Sequence, residues 1–211
     1  SSLNRVRGLL GVQQEQLAQL RQLSESLQQT EAHKRQFYRD TIYSVTSGKL
    51  SICEENDLEP YFEQCQFAAD LPEPTALAGV RHQVLAFCVA NGITGKALEL
   101  LGVGVGEAMT NAIKHAGRGR VCAGATEGAI WVAVSDDGPG IESLILPRAV
   151  LLAGFSTKPS LGLGYTIMLD VADQILLKTS DTGTIVMLIK YTDESRVNEP
   201  IYRGSESSQD N

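Results

Sequence analysis

The chain has 211 residues, is 43% hydrophobic and carries a formal net charge of −7. That apolar content supports a packed core, so a disordered, collagen-like or mucin-like chain is excluded. The acidic balance and the lack of a basic stripe exclude a dedicated nucleic-acid binder, and no apolar run approaches the roughly 18 residues of a membrane helix.

No signal peptide is visible. The sequence opens on Ser1-Ser2 without a methionine, which reads as a chain trimmed from something longer. Cys53, Cys65, Cys88 and Cys122 lack CxxC spacing and nearby histidines. Free thiols in a reducing cytoplasm are therefore expected rather than a zinc site or redox dithiol.

The N-terminal stretch is rich in glutamine and free of proline. Leu3, Leu10 and Leu17 share one heptad position, and Val6, Leu20 and Leu27 share another, with Gln13 interrupting. This predicts a coiled-coil helix over 1–47 that pairs with a second copy, parallel or antiparallel. An amphipathic helix packed on its own domain is the alternative. Thr46-Ser47-Gly48 ends the helix. A connector comes next over 48–64, with a short strand at Lys49–Cys53 and a polar turn at Glu54–Asp57.

A strand is predicted over 65–69, and Pro72 and Pro74 mark a boundary. Two helices come after it, over 75–90 with a stop at Asn91-Gly92, and from a Thr94 cap to His115 with a stop at Gly117. Strands over 120–126 and 129–135 form a hairpin about Glu127-Gly128. A glycine-rich loop, a short helix over 147–153 and another over 164–172 come next. Strands over 174–179 and 184–190 close a domain that spans 65–191. The tail, 192–211, has two basic and five acidic residues and is expected to be flexible.

Three motifs can carry chemistry. Glu107, Asn111 and His115 are four residues apart and share one helical face. A carboxylate and a carboxamide there can serve as base and magnesium ligand, because magnesium takes hard oxygen donors and completes its shell with phosphate and water. Asp136-x-Gly138-x-Gly140 comes after a strand, where a carboxylate oxygen can accept from the exocyclic amine of adenine. Gly162-Leu163-Gly164 opens a helix, whose free N–H groups and dipole favour phosphate. Ser156-Thr157-Lys158 before it adds hydroxyls and one cation. Each motif alone also fits a plain reading: an exposed polar face, an Asp-Gly turn, a flexible loop.

The order of the three, closed by Gly183-Thr184, resembles the N box and glycine boxes of the GHKL superfamily of gyrase, chaperone, histidine-kinase and mismatch-repair ATPases. The resemblance covers about Phe67 to Tyr191. Within that superfamily the chain most resembles the bacterial anti-sigma-factor serine/threonine kinases. It shares their Glu107-Ala-Met-Thr-Asn111-Ala-Ile113 box. It also shares Ser156-Thr-Lys-Pro159 and, after it, Gly162-Leu-Gly-Tyr-Thr-Ile-Met168.

The resemblance implies an α+β, two-layer α/β sandwich of the Bergerat type: a mixed, mostly antiparallel sheet with helices on one face, preceded by the coiled-coil helix. It implies ATP and Mg2+ as ligands. Glu107 would be the general base for an acceptor hydroxyl and Asn111 the magnesium ligand. Asp136 would contact the adenine amine, with Thr184 nearby. Gly138, Gly140, Gly162, Leu163 and Gly164 would let the backbone close around ATP, and Lys158 would reach a terminal phosphate. His115 matches the box's final polar position, with a packed or capping role equally open to it.

The activity implied is transfer of phosphate to a Ser or Thr of a partner regulatory protein, an anti-anti-sigma-like protein or sigma factor. Two alternatives share the nucleotide domain. One is a sensor histidine kinase core with His33 as acceptor, although His33 lacks the acidic neighbour usual after such a histidine. The other is a nucleotide-gated, non-catalytic module that sequesters a partner. Gly102-Val-Gly-Val-Gly106 imitates a dinucleotide loop, but its spacing is not GxGxxG and no clear strand precedes it. Gly95-Lys96 lacks the upstream glycine of a phosphate-binding P-loop.

Overall fold

A computed structural model describes residues 2–126, 128–155 and 162–192, with side chains from residue 13 onward. The chain divides into two units, Ser1–Asp40 and Thr41–Asn211. Helix α1 runs from Ser2 to Val45 and so begins in the first unit and ends in the second. In the first unit Leu17, Leu20, Leu23 and Leu27 are all more than half exposed. In the second, Ile42 is fully buried in the core.

The second unit is built on a six-stranded sheet. Its strands are β1 (Leu50–Ile52), β2 (Phe67–Leu71), β3 (Gly119–Thr126), β4 (Ala129–Asp136), β5 (Gln174–Ser180) and β6 (Gly183–Tyr191), in the spatial order β1-β5-β6-β4-β3-β2. β1 lies parallel to β5, and all other neighbours are antiparallel. This is the mixed, mostly antiparallel sheet that the resemblance implies.

Alternation in β4 divides the core in two. Ile130, Val132 and Val134 face one side. There they meet α3 (Leu77–Ala90), α4 (Gly95–Ala116), α5 (Leu146–Leu151) and α6 (Gly164–Val171). Ala129, Trp131 and Ala133 face the other side. Trp131 is 1% exposed, with Tyr61 and Phe62 edge-on to it at 5.9 and 6.3 Å.

Those two aromatics belong to α2 (Glu55–Glu63), an addition to the expected layering that covers the opposite face. The polar cluster at Glu54–Asp57 is the start of this helix and not a turn. The Asp57 carboxylate accepts the Glu54 N–H at 2.8 Å, satisfying a donor that a helix start leaves free. Leu58 is fully buried against Trp131's cluster. The stretch 48–64, expected as a connector, therefore supplies both the parallel edge strand and the cover of one face. The second strand also sits two residues further along than the expected 65–69, because its pairing with β3 runs from Phe67 to Leu71.

The imitation dinucleotide loop is helical. Gly102 and Gly104 are buried in α4, and a Cβ on Gly104 would stand 2.6 Å from Val171 of α6. The glycine there lets two helices approach closely. No helix among the described residues is long and apolar enough to cross a membrane. The tail from 193 onward, expected to be flexible, lies outside the described residues.

Candidate functional site

α4 presents Glu107, Asn111, Lys114 and His115 along one wall of a cavity of about 350 Å3, within the size range of small-ligand sites. The helix is fixed by its buried residues Leu101, Val105, Ala108, Met109 and Ala112, of which Ala108 and Ala112 also border the cavity. It ends at Gly117, whose φ of 78° is left-handed and whose N–H returns to Ile113 O.

β4 delivers Asp136 to the same cavity, opposite Thr184 of β6 in the sheet register. The Gly138 N–H donates to Asp136 Oδ1 at 2.9 Å. Burial raises the Asp136 carboxyl above the ordinary carboxylate range, while the N–H groups of Gly138 and Thr184 pull it back. Its neighbour Asp137 is drawn out of the site by Arg118, which donates to it from Nε at 3.0 Å and holds its carboxyl low. Of the two adjacent aspartates, Asp136 is thus the one in the cavity.

The loop after β4 is pressed against the end of β5. The Ile141 N–H donates to Thr179 Oγ1 at 2.7 Å, and Thr179 and Thr184 hydroxyls are 3.3 Å apart. Gly140 has φ 67°, and a Cβ there would lie 1.8 Å from Ser180 O. Gly140→Ala is expected to destabilise the fold by about 3–4 kcal/mol, from left-handed strain and overlap with backbone that cannot turn aside. Denaturant unfolding measures this, and an unchanged midpoint would contradict the close approach.

Gly162, Leu163 and Gly164 bring the start of α6 to the cavity. Gly162 has φ 66°, and a Cβ on it would sit 2.4 Å from the Gly154 carbonyl carbon. The Gly154 N–H donates to Gly162 O at 3.0 Å, so the two ends of the intervening segment are joined. A Cβ on Gly164 would be 3.1 Å from Asn111 Nδ2 and 3.3 Å from Glu107 Oε2. The free N–H groups of a helix start therefore stand directly against the polar face of α4.

Of the residues singled out in the sequence, Glu107, Asn111, Asp136, Gly140, Gly162, Leu163, Gly164 and Thr184 line this one cavity. Gly138 stands beside it through its bond to Asp136. Lys158, with Ser156 and Thr157, lies outside the described residues. His33 is an exposed residue of α1 in the first unit.

The sequence did not single out the apolar walls, Ile141, Ile145, Ala149 and Phe155, nor Lys114 and Tyr165. Arg148 stacks over Phe155 at 5.0 Å from the ring centroid. Burial and the nearby Asp136 hold the Tyr165 hydroxyl above the usual tyrosine range. Lys114 could have been found, since it is three residues past Asn111 and shares its face.

The cavity thus pairs an apolar slot ending in a carboxylate with a polar end made of a helix start, a carboxamide and a second carboxylate. A flat base with an amine edge fits the first, and a phosphate chain fits the second.

Comparison with known proteins identifies the family. The profile of the histidine kinase-like ATPase domain family matches residues 71–190. The anti-sigma F factor of Bacillus licheniformis is 36% identical over 102 residues, covering 44% of this chain and 68% of that protein. The anti-sigma F factor of Bacillus thuringiensis is 32% identical over 130 residues, covering 54% and 84%. Among solved structures, a chain of the SiaB-SiaC complex from Pseudomonas aeruginosa is 13% identical. It aligns with a TM-score of 0.48 over 63% of this chain and 94% of that one. The match through residues 71–190, more than half of the chain, places it in the family of histidine kinase-like ATPase domains.

Proposed function

We propose that the chain binds Mg-ATP and transfers the terminal phosphate to a Ser or Thr of a partner regulatory protein, in the cytoplasm. The observation that carries this reading is the position of Gly164 against Glu107 and Asn111, with Asp136 in the same cavity. Asp136 would accept from the adenine amine, and the start of α6 would bind the phosphates through N–H groups. Glu107, on the face next to the phosphate end, would take the proton of the acceptor hydroxyl as its oxygen bonds to the γ-phosphorus. ADP then leaves with the electron pair of the broken P–O bond.

The donor set fits magnesium. The Asn111 carboxamide offers a hard oxygen beside the helix start, next to Glu107, the proposed base. Among the described residues no cluster of three or more His, Cys, Asp or Glu could hold a metal by itself, which suits an ion whose shell is completed by phosphate and water. When bound, magnesium would neutralise phosphate charge, and Asn111 would orient it.

A Ser/Thr acceptor is favoured over His33 by the elements that come after α1. These are the three-residue β1 and the nine-residue α2, and not a second long helix for a histidine-bearing hairpin. The test is incubation with labelled ATP, magnesium and anti-anti-sigma-like or sigma partners, and then acid treatment of the product. Acid-stable label on the partner supports the reading. Acid-labile label on His33 favours the histidine kinase, and tight ATP binding without transfer favours the non-catalytic module.

The exposed Leu17, Leu20, Leu23 and Leu27 of α1 support pairing with a second copy through the first unit. Sedimentation equilibrium is expected to give a dimer for the wild type and a monomer for Leu20→Asp/Leu27→Asp. A wild-type monomer at micromolar concentration would refute the pairing.

A further inference from the structure

α6 is eight residues long, about 12 Å at the usual helical rise. One end is Gly164, against Asn111 and Glu107. Carbonyls at the other end have no partner within the helix. Met168 O accepts the Ala172 N–H at 3.0 Å, and Leu169 O accepts from Lys49 Nζ at 2.9 Å. Lys49 is 120 residues away in sequence, and its ammonium sits where the helix dipole is negative.

Lys49 is itself held rigidly. Its carbonyl accepts the Ile175 N–H at 2.7 Å, the start of the parallel pairing between β1 and β5. On its other side is the end of α1. Thr46 Oγ1 donates to Ile42 O at 2.8 Å and accepts the Leu50 N–H at 3.1 Å. The Gly48 N–H donates to Tyr43 O at 2.8 Å. Ser47 and Gly48 have φ of 52° and 78°, so the joint is a tight, fully bonded turn. Ile42 anchors it in the core.

We propose that Lys49 is a positioning residue for the nucleotide site. Its ammonium fixes the C-terminal end of α6 and thereby the gap between Gly164 and the Glu107–Asn111 face. The inference rests on the nucleotide reading above and adds a route of regulation to it. A displacement of the last turn of α1 reaches α6 through the Thr46–Lys49 joint. From there it reaches the N–H groups that would hold phosphate.

The test uses the full chain with Lys49→Met, Lys49→Arg and, as a control in the same strand, Ile52→Ala. Lys49→Met keeps the apolar stem and removes the cation, and is expected to weaken Mg-ATP binding about fivefold. Lys49→Arg is expected to regain most of the affinity. Ile52→Ala trims the strand but leaves the bond from Lys49 to Leu169 O in place, so its melting temperature falls while its affinity holds. Hydrogen exchange on the nucleotide-free protein reads the contact separately: the α6 amides exchange faster in Lys49→Met and not in Ile52→Ala. The proposal is overturned if wild type binds Mg-ATP and Lys49→Met binds it equally well. It is also overturned if α6 exchange is unchanged, whatever the wild type binds. A wild type that binds no nucleotide would instead remove the reading of the site, and this proposal with it.

Discussion

Replacing Glu107 by glutamine is expected to remove phosphate transfer while leaving Mg-ATP affinity close to wild type. The two side chains have nearly the same shape, so the packing of α4 against Gly164 is kept. What is lost is the ability to take a proton. A positioned general base contributes a factor of about 100 to 10,000, so transfer in a single turnover should fall by at least that lower figure. The neutral amide also removes one negative charge from the phosphate end of the cavity, which opposes any loss of affinity. Transfer at the wild-type rate would show that Glu107 is not the base. Loss of binding together with transfer would show that its role is in holding the nucleotide.

The second large effect is expected from Asp136→Asn. The asparagine carbonyl oxygen keeps the bond from the Gly138 N–H. The other oxygen becomes an NH2 group that would face the adenine amine, donor against donor. Loss of a hydrogen bond to a charged acceptor, with a buried donor left unpaired, costs about 1.5–3 kcal/mol, or roughly 10- to 150-fold in affinity.

The pH dependence has a definite sign. Burial raises the folded-state pKa of Asp136 above its unfolded value. Between the ordinary carboxylate value of about 4 and that raised value, the folded protein binds more protons than the unfolded chain. The contribution of this group to stability therefore declines as pH rises through the window, and above it the buried charge remains a cost. Asp136→Asn should accordingly be at least as stable as wild type at neutral pH, with its advantage shrinking as pH falls through the window. ATP affinity of the wild type should fall over the same range, because the carboxylate that would accept the adenine amine is being protonated. A binding-deficient variant that is also strongly destabilised at neutral pH would contradict this account.

Much of the site is legible in the sequence because its polar residues lie on regular spacings. Glu107 and Asn111 are one helical turn apart, Asp136 closes a strand, and Gly162 and Gly164 open a helix. The apolar walls are different: Ile141, Ile145 and Phe155 line the cavity, yet in sequence they look like any residue bound for a core. Tyr165 is visible as the aromatic after Gly164, but its nearness to Asp136 depends on how α6 packs on the sheet.

The hairpins of the sheet are readable from their short turns, about Gly128 and Gly183. The parallel pairing of β1 with β5 is not, since no turn joins them and more than a hundred residues intervene. α2 is hidden because its capping carboxylates imitate a polar turn. The glycines of 102–106 mislead in the opposite way: they serve helix packing against Val171 and Leu85, a demand that exists only once the helices are placed.

We propose that this cavity is an adenine-nucleotide site, with Asp136 at one end and the Glu107–Asn111–Gly164 corner at the other. Isothermal titration of the full chain with ATP and with GTP, each with magnesium, tests it most directly. The amine of adenine would donate to Asp136, whereas guanine presents a carbonyl at the same edge and would face the carboxylate acceptor to acceptor. ATP is expected to bind, and GTP to bind at least about tenfold more weakly, with the preference lost in Asp136→Asn. Equal binding of the two nucleotides, or binding of neither, would contradict it.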